Sequence, residues 1–224
     1  MLVQKKFTRF AAICCLLSVI TTLGIHLYFP DPPADFETRV RLFRDPVYLL
    51  NRWWVIIHCL LVLVSMWGFA LIQFKKSPGF AGLGFFFIAV FAIAEITRQL
   101  IVFFYINELR EQYLLSADPI TTESIKSQLT YAGLITAPLF GLFILTFGLG
   151  NLSYGISLSG GNRFDKTLSL LLVFWGCCTL INFGNSFWES AGLSRVTEIY
   201  GYTFQPLMRT LIGIWLWKKS TTLA

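Results

Sequence analysis

Residues 79–104 read GFAGLGFFFIAVFAIAEITRQLIVFF, and only Glu95 and Arg98 in that run are ionisable. A hydrocarbon core about 30 Å thick is crossed by about 20 apolar residues at a rise of about 1.5 Å each. The run exceeds that length, so it predicts a spanning helix that tilts or projects beyond the bilayer. Working outward, five more runs pass the same test. The predicted spans are residues 10–29, 53–74, 79–106, 129–150, 167–188 and 199–217. Composition agrees. Only 13% of the 224 residues are charged, about half the share in soluble domains, too few to cover a globular surface. A hydrophobic content of 55% excludes intrinsic disorder. The expected fold class is all-α, a polytopic membrane helical bundle of six transmembrane helices forming a single domain over residues 1–224.

Charge sets the expected threading. Lys5, Lys6 and Arg9 precede a first apolar run that is longer than a signal-peptide core and lacks a small-x-small site before Pro30, so it reads as a retained helix. With the N-terminus in the cytoplasm, the inner side collects Lys5, Lys6, Arg9, Lys75, Lys76, Arg163, Lys166, Lys218 and Lys219 against Asp165 alone. The outer side holds ten acids against seven bases. The balances are +8 inside, −3 outside and +1 for Glu95, Arg98 and Arg209 within the spans, which recovers the net +6. Every short inner loop is basic, as the positive-inside rule requires. Both termini are therefore expected in the cytoplasm of a multi-pass inner (plasma) membrane protein. The basic excess faces anionic lipid, and no grouping of bases with stacking aromatics suggests nucleic acid.

The connecting segments carry further expectations. After Pro30, Phe36, Val40 and Phe43 recur at helical spacing among charges, predicting a short amphipathic helix on the outer face. Asp118 followed by Pro119 is a helix start, N-cap then first helical position. The third and fourth spans should thus project together as a hairpin. Trp53, Trp54 and Trp188 are expected at the outer interface and Trp215 and Trp217 at the inner. Trp67 and Trp175 are expected between helices. Gly133, Ala137, Gly141 and Gly148 would let the fourth helix approach its neighbours closely. Cysteines 14, 15, 59, 177 and 178 read as small apolar filler. Asn151-Leu152-Ser153 matches the glycosylation pattern on the wrong side of the membrane.

Polar groups inside spans are the informative ones, since a charge at mid-bilayer costs roughly 2.5–3.5 kcal/mol. Glu95 and Arg98 are three apart and can pair on one face, which Gln99 extends. Asn182, Asn185 and Glu189 form one stripe. Pro206 interrupts the sixth helix beside Gln205 and Arg209 and frees the carbonyl of Tyr202; Pro138 does the same in the fourth for Leu134. Arg209 needs an anion, and Glu95 is the acid nearest in predicted depth. The expected ligand-binding residues are Glu95, Arg98, Gln99, Asn182, Asn185, Gln205, Arg209 and His58, with Arg52, His26 and Glu189 at the rim. They predict one polar pocket open to the outside and closed toward the cytoplasm.

His26 and His58 are the only histidines and read as hydrogen-bonded packing groups rather than haem ligands. No lysine lies deep enough for a retinal-type pigment. GxSxG, HExxH and useful Cys–His pairs are absent. No catalytic residue, metal or cofactor is therefore expected, and the chain leans away from an enzyme. The basic Lys5-Lys6…Arg9 start, the Arg41-x-Phe43-Arg44-Asp45 segment and the glycine-rich fourth helix ending at Gly148-x-Gly150 resemble a bacterial domain-of-unknown-function family of six-helix integral membrane proteins. That resemblance implies the six-helix layout and no activity. The expected function is a non-enzymatic protein that binds a small molecule or lipid in the pocket, or scaffolds a membrane complex. Its partners are the lipid bilayer and that ligand, with a homo-oligomer or membrane complex admitted. The second reading is a small secondary transporter or proton-coupled carrier using Glu95 and Arg98. Pro138 and Pro206 do not sit at matching positions of two halves, as inverted repeats would require.

Overall fold

The computed structural model describes residues 2–30, 33–188 and 191–222, with the side chains of Leu2, Val3, Trp188, Ala191, Tyr202 and residues 193–200 left aside. Among these residues there is no strand. The helices are α1 (Leu2–Leu27), α2 (Phe36–Arg41), α3 (Pro46–Gln73), α4 (Pro78–Ile101), α5 (Asn107–Leu115), α6 (Pro119–Leu158), α7 (Arg163–Trp188) and α8 (Ala191–Thr222). A 3-10 turn, Leu42–Arg44, leads from α2 to α3, and a π turn, Val102–Ile106, carries α4 into α5 without a break.

Local chemistry explains where the helices start. The Asp45 carboxylate accepts from Val47 N at 2.8 Å and Tyr48 N at 3.3 Å, with Pro46 first in the helix. Asp118 repeats this with Ile120 and Thr121 ahead of α6, as the sequence predicts. At α7 the cap is reciprocal. Asn162 Oδ1 accepts from Asp165 N at 2.9 Å, and Asp165 Oδ2 accepts from Asn162 N at 3.2 Å, a capping box.

Five helical stretches are long and apolar enough to cross a membrane: Gln4–Leu27, Pro46–Gln73, Pro78–Leu115, Pro119–Leu158 and Arg163–Phe187. The chain is a multi-pass membrane protein. Two of these stretches have 38 and 40 residues, about twice the length a bilayer needs, so α4–α5 and α6 project as the expected hairpin. The helix predicted over 129–150 is therefore the core of a longer one. α8, matching the span predicted over 199–217, stands outside the five; its described part is diluted by Thr203, Gln205, Arg209 and Thr210.

The six long helices close a ring in chain order. α1 packs on α3, α3 on α4, α4 on α6, α6 on α7, α7 on α8, and α8 back on α1. α8 runs antiparallel along α1: Gly201 faces His26, and Gly213 faces Leu16 and Ala12. One end of the ring carries α2, α5 and the acidic connections; the other carries the lysine-rich ones. Near the basic end the interior is filled. Trp215 stacks on Phe69 at 4.5 Å, Tyr154 meets the same ring edge-on at 4.7 Å, and Tyr154 donates to the Met66 carbonyl at 2.9 Å.

Two expectations need correction. Trp215 is fully buried in this core, not at an interface, because its indole N–H has a buried acceptor in Asp165. Trp217 is exposed as expected, and Trp188 lies outside the described side chains. Gly133 touches nothing within 4 Å and Gly141 only Phe183 at 3.6 Å, so they do not make the close approach. Gly148, Gly150 and Gly155 of α6 do, with Gly176 of α7. A Cβ on Gly176 would stand 2.8 Å from the Gly148 carbonyl oxygen and 2.9 Å from Leu152 N. The helix after Pro30 forms, but it ends at Arg41 and is docked on α5, where Phe36 meets Tyr113 edge-on at 5.3 Å and Tyr113 donates to Glu37 at 3.0 Å. Asn151 is fully buried and donates to the Phe147 carbonyl at 3.0 Å, so no oligosaccharide reaches it in the folded chain.

Candidate functional site

A cavity of about 360 Å³ lies inside the ring, and every long helix contributes to its wall. α1 supplies Thr22 and His26, α3 His58 and Cys59, and α4 Phe91, Glu95 and Arg98. α6 supplies Phe140, Phe143 and Phe147, α7 Cys178, Thr179 and Asn182, and α8 Gly201, Gln205 and Arg209. On each of α1, α4 and α7 these positions fall toward the C-terminal end, and on α3 and α8 toward the N-terminal end. The cavity therefore occupies the half of the bundle nearer the acidic end.

Glu95 is the hub of its polar wall. Its side chain is buried, yet both oxygens are used. Arg98 donates from Nη2 to Oε1 at 2.6 Å and from Nε to Oε2 at 2.8 Å, a two-pronged ion pair. Gln99 Nε2 donates to Oε1 at 2.5 Å, and Gln99 Oε1 accepts from Arg52 Nη1 at 3.2 Å. The i, i+3 and i+4 spacing puts all three side chains of α4 on one face. Arg52 is anchored in turn over the Tyr48 ring at 4.5 Å. The chain Arg52–Gln99–Glu95–Arg98 carries one more positive than negative charge.

Arg209 lies apart from this chain. It is 1% exposed, and its guanidinium lies against the Trp175 ring at 5.0 Å and the Phe147 ring at 5.4 Å, two rings that themselves meet edge-on at 5.1 Å. Nε and Nη1 have no hydrogen-bond partner among the described residues. The expected pairing with Glu95 does not occur, because Arg98, one turn from Glu95 on the same helix, occupies both carboxylate oxygens. His58 Nδ1 shares a hydrogen bond with Thr21 Oγ1 at 2.8 Å, and His26 lines the wall beside Gly201.

Of the eight residues expected to bind ligand, Glu95, Arg98, Asn182, Gln205, Arg209 and His58 line the cavity. Gln99 stands behind Glu95 as its support. Asn185 is buried on α7 outside the cavity wall. Of the expected rim, His26 lines the wall, Arg52 braces Gln99, and Glu189 lies outside the described residues. Sequence reasoning missed the aromatic wall. Phe140, Phe143 and Phe147 follow one another at three and four residues along α6, and Phe91 of α4 stacks on Phe143 at 4.7 Å. That stripe was the available signal.

It missed a second polar cluster at the opposite end. Asp165 accepts from Trp215 Nε1 at 2.7 Å and from Lys219 Nζ at 3.0 Å, besides capping α7. Buried acid and indole and half-buried lysine tie α7 to α8. No group of three or more His, Cys, Asp or Glu among the described residues could hold a metal, and the five cysteines are free thiols.

No family model, curated protein or solved structure matches this chain.

Proposed function

We propose that the protein crosses the inner (plasma) membrane six times, with both termini cytoplasmic, and binds a small molecule or lipid in a pocket open to the outside. Support for the sixth crossing comes from α8, which runs antiparallel along α1, itself a candidate span, from Gly201 to Gly213. The orientation rests on the lysine-rich connections, which collect at one end of the ring. The binding reading is carried by one observation: six helices leave a space of about 360 Å³ in which a buried ion pair, amides and a cation meet an aromatic wall. That is the make-up of a ligand site, mostly apolar with a few fixed polar groups. A pocket that served only packing would be filled, as the layer of Trp215, Phe69 and Tyr154 is.

The test is native mass spectrometry of the protein released from lipid nanodiscs. A co-purifying mass is expected on the wild type and absent from Phe143→Trp, which fills the cavity. Adducts that are identical on both proteins would defeat the binding reading. Alkaline phosphatase fused at residue 224 should be inactive and one inserted in the 30–45 connection active; the reverse would overturn the threading.

A further inference from the structure

We propose that the ligand is an organic anion, its acidic group seated on Arg209 and its apolar body against Phe91, Phe143 and Phe147. This rests on the binding reading above and names the ligand's class. The first ground is charge. Arg98 is neutralised by Glu95 inside the same cavity, whereas Arg209 meets no acid among the described residues, and its Nε and Nη1 have no hydrogen-bond partner there. A buried guanidinium keeps its charge, and leaving it unpaired costs more than almost any other local defect. Cation–π contact with Trp175 and Phe147 offsets part of that cost.

The second ground is shape. The Trp175 and Phe147 rings stand 5.1 Å from one another and so lie on the same side of the guanidinium, which leaves its Nε and Nη1 edge without a partner among the described residues. Planar N–H groups offered edge-on match a carboxylate or phosphate oxygen. The third ground is position. Arg209 belongs to the cavity wall, as do Phe91, Phe143 and Phe147, so the acid-binding group and the apolar surface face one space. A neutral ligand would leave the cation as it is, and a cationic one would worsen it.

The shared chemistry is an oxyanion on an apolar body, which a free carboxylate or a lipid headgroup can supply. Isothermal titration calorimetry on the full chain in phosphatidylcholine nanodiscs separates the cases. The probes are 4-phenylbutyrate, its neutral amide and 4-phenylbutylamine. The carboxylate is expected to bind at least tenfold more tightly than the amide, and the amine not at all. Arg209→Gln should lose that preference and Arg209→Lys retain part of it; the probe series on wild-type protein decides even if a variant fails to fold. Loss of the phenylbutyrate signal in phosphatidylglycerol nanodiscs, with phosphatidylcholine nanodiscs unaffected, would assign the anion to a lipid phosphate. Equal binding of amide and carboxylate would overturn the anion assignment and leave the pocket reading standing. Binding of none of the three, with Phe143→Trp indistinguishable from wild type by mass spectrometry, would remove both.

Discussion

Replacing Gly176 by alanine tests whether the α6–α7 seam is set by glycine. The new Cβ would stand 2.8 Å from the Gly148 carbonyl oxygen, against 3.4 Å where ordinary contact begins, a shortfall of about 0.6 Å. It would also lie 2.9 Å from Leu152 N. Both are backbone atoms of α6 and cannot rotate away, so the helices must separate. Overpacking of this kind costs about 1–3 kcal/mol. Alanine also favours a helix by about 1 kcal/mol over glycine, so the net loss is about 0–2 kcal/mol. The control is Gly133→Ala on α6, where nothing lies within 4 Å; only the propensity gain of about 1 kcal/mol remains. The difference between the two variants isolates the clash and should be about 1–3 kcal/mol. Equilibrium unfolding in mixed micelles, titrated with sodium dodecyl sulfate, measures both. Two variants within about 0.5 kcal/mol of each other, inside the usual spread for neutral substitutions, would refute the reasoning.

Glu95→Ala strands Arg98 and the Gln99 amide together and should cost about 2–3 kcal/mol in the same unfolding assay. The Glu95→Ala/Arg98→Ala double variant should recover part of that loss, and a double variant worse than the sum of the singles would contradict the pairing. Trp215→Phe removes the indole donor to Asp165 and should cost about 1.5–3 kcal/mol, the range for a hydrogen bond to a charged group; an unchanged midpoint would show that Asp165 is held without it. Asp118 is held below its ordinary value of 3.8 by the Thr121 hydroxyl and amide, so its cap is complete above about pH 4 and lost as pH falls through the lowered value. Amide exchange at Ile120 and Thr121 should therefore gain protection over that low-pH range in wild type but not in Asp118→Ala. Proteoliposomes loaded with a pH-sensitive dye should show no proton uptake on addition of 4-phenylbutyrate beyond that of protein-free liposomes, which the permeant neutral acid acidifies unaided. Uptake lost in Glu95→Gln would replace the binding reading by the carrier reading.

What could be read from sequence follows from how each signal is written. Apolar length is local, so five of the predicted spans emerged with boundaries wrong mainly where helices continue past the bilayer. Asp118-Pro119 was legible because capping involves adjacent residues. The Glu95–Arg98–Gln99 set was legible because its members share one turn of α4. Arg209 was misassigned because its surroundings come from other helices: Phe147 from α6 and Trp175 from α7. Asp165 was counted as a lone inner acid, since its partners Trp215 and Lys219 lie about fifty residues away. The π turn at Val102–Ile106 has no proline or glycine to announce it. Glycine spacing was read correctly as a packing device but placed half a helix too early, because spacing alone does not say which glycines face a neighbour.

That displacement of the glycines accounts for where the cavity is. Gly148, Gly150, Gly155, Gly176 and Gly213 all stand against a neighbouring helix so closely that a Cβ would fall within 3 Å of it. All lie at mid-bundle or toward the basic end. There the helices close together, and Trp215, Phe69 and Tyr154 fill what remains. Toward the acidic end, Gly133 meets nothing, and Gly141 and Gly201 come no nearer than 3.6 Å to anything. Gly24, pressed against Trp54 at 2.7 Å, is the exception and holds only the α1–α3 seam. The helices are therefore drawn tightest away from the cavity, and phenylalanines on α4 and α6 line the space without filling it. Burying Glu95, Arg98 and Arg209 in a uniformly tight bundle would leave their polar edges against hydrocarbon. In a bundle that is looser at one end, the same residues face a cavity instead. The small residues at the basic end and the polar ones at the acidic end are thus two halves of one arrangement, and substituting the former should alter binding at the latter.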